Sequence, residues 1–122
     1  MSDAVNHPSH YRQARVEIEP IDIIRFVNFD LGNTIKYVSR AGHKGDELED
    51  FRKAEWYLIC AKETYHHDPE PYDRFIKNHL LYLKKMKPFD SFFGASIFRL
   101  FQFLDEVIAE NIERLEIERG IK

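Results

Sequence analysis

Four basic side chains, those of Lys36, Arg40, His43 and Lys44, fall within nine residues of the segment 31–45. Three of the five glycines in the chain lie in the same segment. An arginine fork and lysine point charges beside a glycine-containing loop that opens onto a helix supply the charge and the donors that a phosphate requires. The segment therefore predicts a site for an anionic ligand such as a nucleotide phosphate.

An acidic run, residues 46–50, follows this segment directly. Four carboxylates around the start of a helix oppose anion binding there, so a phosphate would be held by side chains alone or through a bridging cation such as Mg²⁺. The alternative interpretation is a solvated surface on which Lys36 and Arg40 form ion pairs with the acidic run. The sequence after Gly42 does not match a P-loop, so a kinase of this sequence would need another phosphate cradle.

Two pairs of histidines, His7 with His10 and His66 with His67, are candidate metal ligands. Pro8 separates the first two and disfavours the helical register that would align them. We therefore expect capping or packing from the first pair and a solvated turn between helices at the second. No metal site is assigned to either pair.

Paired carboxylates form a further candidate site, Glu47 with Asp50 and Glu106 with Glu110. All-helical nucleotide pyrophosphohydrolases hold magnesium with acidic residues at such spacings, because a hard cation prefers oxygen ligands. Acidic pairs three or four residues apart also occur on most exposed helices. The pattern therefore leaves a magnesium-dependent pyrophosphohydrolase open as one alternative.

The composition is that of a single soluble domain of 122 residues, with 18 basic and 21 acidic side chains. A net charge of −3 argues against binding of duplex nucleic acid through a general basic surface. The lone Cys60 excludes a disulfide framework within the chain. No apolar run approaches the ~18 residues of a membrane span, and the first residues do not resemble a signal peptide, so the cytoplasm is the expected compartment.

Helical periodicity and end signals predict a compact all-α domain of about five helices with an irregular N-terminal arm, residues 1–18. The predicted helices cover roughly residues 20–29, 31–41, 47–66, 71–86 and 91–119. Asp30 is expected to cap the second helix and Gly42 to end it, and Asp46 with Glu49 resembles a capping box that opens the third.

Apolar side chains on the third helix predict the face that it buries. The core-facing stripe is predicted to comprise Leu48, Phe51, Leu58 and Tyr65, broadened by Trp56 and Ile59. The long C-terminal helix is apolar nearly all round between residues 92 and 104. Its length and the 14% aromatic content predict a homo-oligomer, because they provide apolar surface beyond one core.

Several motifs in the first half of the chain follow one another in a familiar order. They are Asn6–Tyr11, Ile18–Ile24, Leu31–Tyr37, Arg40–Lys44 and Lys53–Tyr57. In this order they resemble a family of small bacteriophage proteins, mostly of unassigned function, that includes a phage-encoded nucleotide kinase. The resemblance covers roughly residues 6–65, and it implies phosphoryl transfer onto a deoxynucleoside monophosphate without a P-loop, in the cytoplasm of the host cell.

In such an enzyme Lys36, Arg40 and Lys44 would neutralise the phosphates and the charge that builds up during transfer. Asp50 or His10 would orient the acceptor. The further ligand-binding candidates are Asn33, Tyr37, His43, Lys53 and Tyr11, with Lys44 counted among them as well. A nucleotide phosphate donor and Mg²⁺ are the cofactors that this hypothesis implies.

A second hypothesis is a phage factor without catalysis that inhibits or redirects a host protein. Its interaction surface would lie in the aromatic and partly acidic second half of the chain, residues 71–122. Tyr37 or Trp56 could stack on a nucleotide base under the first hypothesis, although either side chain suits a core equally well.

Overall fold

The computed structural model describes residues 25–122, and these residues fold almost entirely as helices without a strand. The elements in chain order are α1 (Phe29–Arg40), α2 (Glu47–His67), α3 (Glu70–Leu83), a short 3₁₀ helix (Phe89–Ser91) and α4 (Ile97–Glu118). The compact all-α fold class is thus confirmed, with four α-helices in this part of the chain against the predicted five or so. Most of the predicted helix 20–29 lies outside the described residues, and residues 25–28 form a turn.

Helix α2 is the central element of the described fold. Helix α1 packs along it, and α4 packs along another side. An ion pair joins Lys62 to Asp105 near one end of α2, and a second joins Asp46 to Arg119 at the other, so α2 and α4 run antiparallel. Helix α3 contacts α4 more lightly. None of the helices in this region is long and apolar enough to cross a membrane.

Each helix buries one apolar face in a single cluster. Ile35 and Val38 of α1 are both buried. Leu48, Phe51 and Leu58 of α2 are buried as predicted, and Tyr65 packs half-buried against the same cluster. The other principal core side chains are Leu31, Tyr72, Phe75, Leu83, Phe89, Leu100, Leu104 and Ile108.

Trp56 and Ile59 lie on the exposed side of α2, with 62% and 58% of their surface accessible. Their predicted place in the core is wrong. The residues that are buried on α2, such as Phe51 and Leu58, already form a complete helical stripe, and Trp56 and Ile59 fall on the opposite side of the same helix. Apolar character alone therefore did not indicate the buried face.

The ends of the helices follow the predicted signals in part. Asp46 caps α2 by accepting a hydrogen bond from the Glu49 amide at 3.2 Å, and Gly42 follows α1 with φ of 86°. Asp30 does not cap α1, because the helix begins at Phe29, two residues earlier than that cap implies, and Asn28 occupies the capping position. The Asp30 carboxylate instead accepts a hydrogen bond from the Thr64 hydroxyl at 2.8 Å, which joins α1 to α2.

The last helix begins at Ile97, about six residues after the predicted start. Ser96 caps it by accepting a hydrogen bond from the Arg99 amide, and Gly94 adopts φ of 142° just before. The apolar residues between 89 and 95 form the 3₁₀ helix and an extended segment instead. Helix α3 begins within one residue of its predicted start and ends at Leu83, three residues early.

Candidate functional site

The loop between α1 and α2 places Arg40 beside Asp50. Gly42 and Gly45 both have positive φ, which lets the chain reverse within a few residues before Asp46 opens α2. The Nε atom of Arg40 lies 3.5 Å from Oδ2 of Asp50 and donates a hydrogen bond to the Lys44 carbonyl oxygen at 3.4 Å. Within the acidic run 46–50, the partner of Arg40 is therefore Asp50, whose side chain is buried.

Asp50 is a buried carboxylate, with 4% of its side chain exposed. Its Oδ2 atom accepts no hydrogen bond from residues 25–122, and Arg40 approaches it only as a charge. A buried acceptor without a donor is costly, and the nearby positive charge of Arg40 offsets part of that cost. Asp50 also restrains the guanidinium group of Arg40.

Arg40 retains donors for a ligand. Within the described residues no oxygen accepts a hydrogen bond from its Nη1 or Nη2 atoms, and its side chain is 42% exposed. Gly45 makes room for this group, because a Cβ atom added there would lie 2.9 Å from Nη2. Arg40 is thus held by its Nε edge, with Nη2 close to Gly45.

The acidic run at the start of α2 is paired with cations throughout. Glu47 binds Arg114 of α4 at 2.9 Å, and Asp46 binds Arg119, the residue that follows α4, at 2.9 Å. Glu49 binds Lys53 at 3.0 Å within α2. These cations partly neutralise the negative charge of the run, so it opposes anion binding less than the sequence alone suggests.

Arg114 and Arg119 belong to the surroundings of the site, and sequence reasoning missed them. They lie more than 60 residues from the acids that they contact. The hydrogen bond from Arg119 is the largest cause that lowers the pKa of Asp46 below its ordinary value, followed by the bond from the Glu49 amide. No local spacing in the sequence indicates such a distant pairing.

A cluster of aromatic and basic side chains lies beside this loop. The Nζ atoms of Lys36 and Lys53 lie 4.6 Å and 5.4 Å from the centre of the Tyr37 ring. The Tyr37 ring is nearly parallel to that of Tyr57, with 5.9 Å between centroids. Hydrogen bonding to Glu49 raises the pKa of Lys53, so its ammonium group remains charged at neutral pH. Cation–π contacts of this kind hold both ammonium groups near the ring.

The remaining predicted residues are less closely associated with this cluster. Asn33 donates a hydrogen bond to the Phe29 carbonyl oxygen within α1. His43 and Lys44 are exposed in the loop, close in sequence to Arg40. His10 and Tyr11 lie outside the described residues.

A metal cluster is not formed by the carboxylates proposed for a pyrophosphohydrolase. In the part of the chain that the structure describes, no three His, Cys, Asp or Glu side chains gather where they could hold a metal ion. Glu47 and Asp50 are paired with arginines, while Glu106 and Glu110 lie on exposed turns of α4. This donor set does not fit a resident Mg²⁺ ion.

Comparison with known proteins gives one family. Residues 5–59 match the profile of DUF3310, a protein family of unknown function. The match includes α1, the loop and the first half of α2, and so contains Lys36, Arg40 and Asp50. No curated protein and no solved structure matches the chain. The chain is therefore similar to a family without an assigned activity over the segment that carries the site.

Proposed function

We propose that the protein binds a nucleotide through its phosphate groups, with Arg40 as the principal phosphate contact. The observation that carries this proposal is the orientation of the Arg40 guanidinium group. Its Nε edge is held by Asp50 and the Lys44 carbonyl oxygen, while Nη1 and Nη2 have no acceptor within the described residues. A pre-oriented fork loses little conformational freedom when it binds two phosphate oxygens.

The surroundings of Arg40 suit the rest of a nucleotide. Lys36 adds positive charge one helical turn from Arg40 on α1, and Lys53 adds positive charge on α2 near the same Tyr37 ring. Tyr37 and Tyr57 provide aromatic surface against which a base could stack. Asp50 would contribute by holding the Nε edge of Arg40, since its Oδ2 atom is buried.

Phosphoryl transfer is the reaction for which such a site is suited. An oxygen of the acceptor monophosphate would attack the terminal phosphorus of a nucleoside triphosphate, and the bond to the leaving diphosphate would break. Catalysis of this step consists largely of positioning and charge stabilisation. Arg40, Lys36 and Lys44 would stabilise the charge on the transferring group and on the diphosphate. A deoxynucleoside monophosphate kinase without a P-loop is the resulting proposal.

Calorimetric titration with the common deoxynucleoside monophosphates and with ATP tests the proposal. Arg40→Ala is expected to weaken binding by roughly 10- to 100-fold, because a charge-assisted bidentate contact is lost. Arg40→Lys retains the charge without the fork. Its affinity is expected to lie between those of the unaltered protein and Arg40→Ala. Arg74→Ala is the matched control, because Arg74 is an exposed arginine paired with Glu70 on α3.

Two results would contradict the proposal. One is the absence of binding by any of these nucleotides to the unaltered protein. The other is equal binding by the Arg40→Ala and Arg74→Ala variants, since Arg40 would then carry no more of the affinity than a distant surface charge.

Binding of a host protein is the second candidate, and exposed apolar side chains in the second half of the chain favour it. Phe93 is 89% exposed and Phe98 is 66% exposed, on either side of the start of α4. Native mass spectrometry with host lysate distinguishes the two functions. This candidate requires a stoichiometric protein complex that is lost when Phe93 and Phe98 are replaced by serine.

A further inference from the structure

The exposed side of α2 carries a short apolar patch that no described part of the chain covers. Trp56 and Ile59 lie one helical turn apart at its centre, and both are more than half exposed. They lie opposite the buried stripe that includes Phe51 and Leu58. Helix α2 therefore has apolar residues on two sides, one of which packs within the monomer.

The exposed residues of α2 are spaced like the seam of a coiled coil. Their separations alternate between three and four residues, which keeps one stripe of a helix against a partner helix. All members of this seam are exposed. They are Glu49, Arg52, Trp56, Ile59, Glu63 and His66.

The charges along this seam complement those of the same seam on a second copy that runs in the opposite direction. With a two-fold axis passing between positions 57 and 58, Trp56 lies opposite Ile59 of a second copy, and Arg52 lies opposite Glu63. Glu49 then faces His66. A parallel pair would instead place each charged residue against the same residue of the second copy, so that like charges would meet. Two-fold symmetry makes every such contact occur twice.

The two charged partners are also available for this contact. Glu63 forms no ion pair with a cation in residues 25–122. Arg52 binds Glu116 through Nη2 at 2.9 Å, and its other nitrogens have no acceptor among those residues. A guanidinium group with five donors can bind both carboxylates.

We propose that the protein forms a homodimer in which α2 pairs antiparallel with α2 of a second copy. The sequence-based prediction placed the oligomer contact on the C-terminal helix, whereas the charge pattern favours α2. The apolar centre is small, so the dimer is expected to be weak, with a dissociation constant on the order of micromolar. The proposal is independent of nucleotide binding.

Analytical ultracentrifugation over a concentration series tests the proposal directly. Trp56 is the only tryptophan in the chain, so its fluorescence reports burial of the seam without labelling. We expect a monomer–dimer equilibrium and a blue shift of the emission over the same concentration range. A monomer at every concentration up to about a hundred times the expected dissociation constant, taken as micromolar, would overturn the proposal.

A charge exchange tests the antiparallel register. Arg52→Glu and Glu63→Arg are each expected to raise the dissociation constant by roughly tenfold or more, because each places like charges opposite one another. The double variant is expected to return it to within about threefold of the original value, because the pair is restored in reverse. A double variant that dimerises no better than the single variants would overturn the register.

Two further variants keep the outcome unambiguous. Trp56→Ala is expected to weaken the dimer by at least about tenfold while the helical content by circular dichroism stays unchanged, since the side chain is largely exposed in the monomer. Phe93→Ser removes an even more exposed aromatic residue away from the seam and is expected to leave the dimer intact. The reverse result, with Phe93 required and Trp56 dispensable, would contradict the proposal.

Discussion

Asp46 shows how one distant contact changes the chemistry of a residue at the site. Its pKa is lowered chiefly by the hydrogen bond from Arg119, so Arg119→Ala is expected to raise the pKa towards that of an ordinary aspartate. NMR titration of the side-chain carboxyl carbon measures this. Arg74→Ala serves as the control and is expected to leave the pKa of Asp46 unchanged.

The lowered pKa of Asp46 also predicts the pH dependence of this contact. A carboxyl whose pKa is lower in the folded state stabilises that state above the ordinary aspartate pKa of about 3.9, and the contribution is lost as the pH falls through the folded-state value. The difference in stability between the unaltered protein and Arg119→Ala should therefore shrink in acid. A difference that stays constant down to the lowest pH would contradict the assignment.

At the residue scale, the contact between Arg40 and Asp50 was within reach of local spacing in the sequence, whereas the distant ion pairs were not. Lys36 and Arg40 are four apart on α1 and so share one face of that helix, and the short loop after α1 brings Asp50 beside Arg40. The contacts of Arg114 and Arg119 depend on how α4 packs against α2. That packing follows from the whole core and could not be inferred from neighbouring residues.

At the scale of elements, the loop between α1 and α2 can be tested through Gly45. Gly45→Ala introduces a Cβ atom 2.9 Å from Nη2 of Arg40 and is expected to weaken phosphate binding by displacing the guanidinium group. Gly120→Ala is the matched control, because Gly120 has nearly the same φ, 72° against 73°, and open space around it. Both variants should lose about 1 kcal/mol of stability through backbone strain.

Comparison of the two glycine variants separates the effect of backbone strain from the effect of displacing Arg40. Calorimetric titration is expected to show weaker nucleotide binding for Gly45→Ala than for Gly120→Ala at equal thermal stability. Equal affinities would mean that the position of Arg40 does not matter for the ligand.

The ends of helices were predicted correctly where a capping side chain marks them. They were predicted wrongly where the prediction relied on the apolar pattern. Asp46 with Glu49 fixed the start of α2 correctly, since a capping side chain acts locally. The predicted start of α4 followed the apolar residues after Phe89, although Ser96 was the effective cap. The apolar side chains Phe89 and Phe92 are buried without being in an α-helix, so their hydrophobicity did not indicate the element type.

At the scale of the whole molecule, the shared core predicts one cooperative unit. Leu104 of α4 is fully buried, and Leu104→Ala is expected to cost about 2–5 kcal/mol of unfolding free energy. Hydrogen exchange should then show that α1 and α2 lose protection together with α3 and α4. Leu81→Ala is the control, because Leu81 is 76% exposed on α3 and should change little.

Selective loss of protection in α3 and α4 after the Leu104 change would show two units instead of one. The single domain predicted from the length of the chain would then need to be divided near the turn after His67. Chemical denaturation of both variants provides the matching unfolding free energies.

The pairing of the acidic run with α4 has a consequence for evolution. The matched family segment, residues 5–59, contains Asp46 and Glu47, whereas Arg119 and Arg114 lie outside it. Two acidic residues of the first half of the chain are thus paired with arginines of the second half. A relative that combined this segment with a different second half is expected to carry other residues at the two acidic positions or to supply cations of its own.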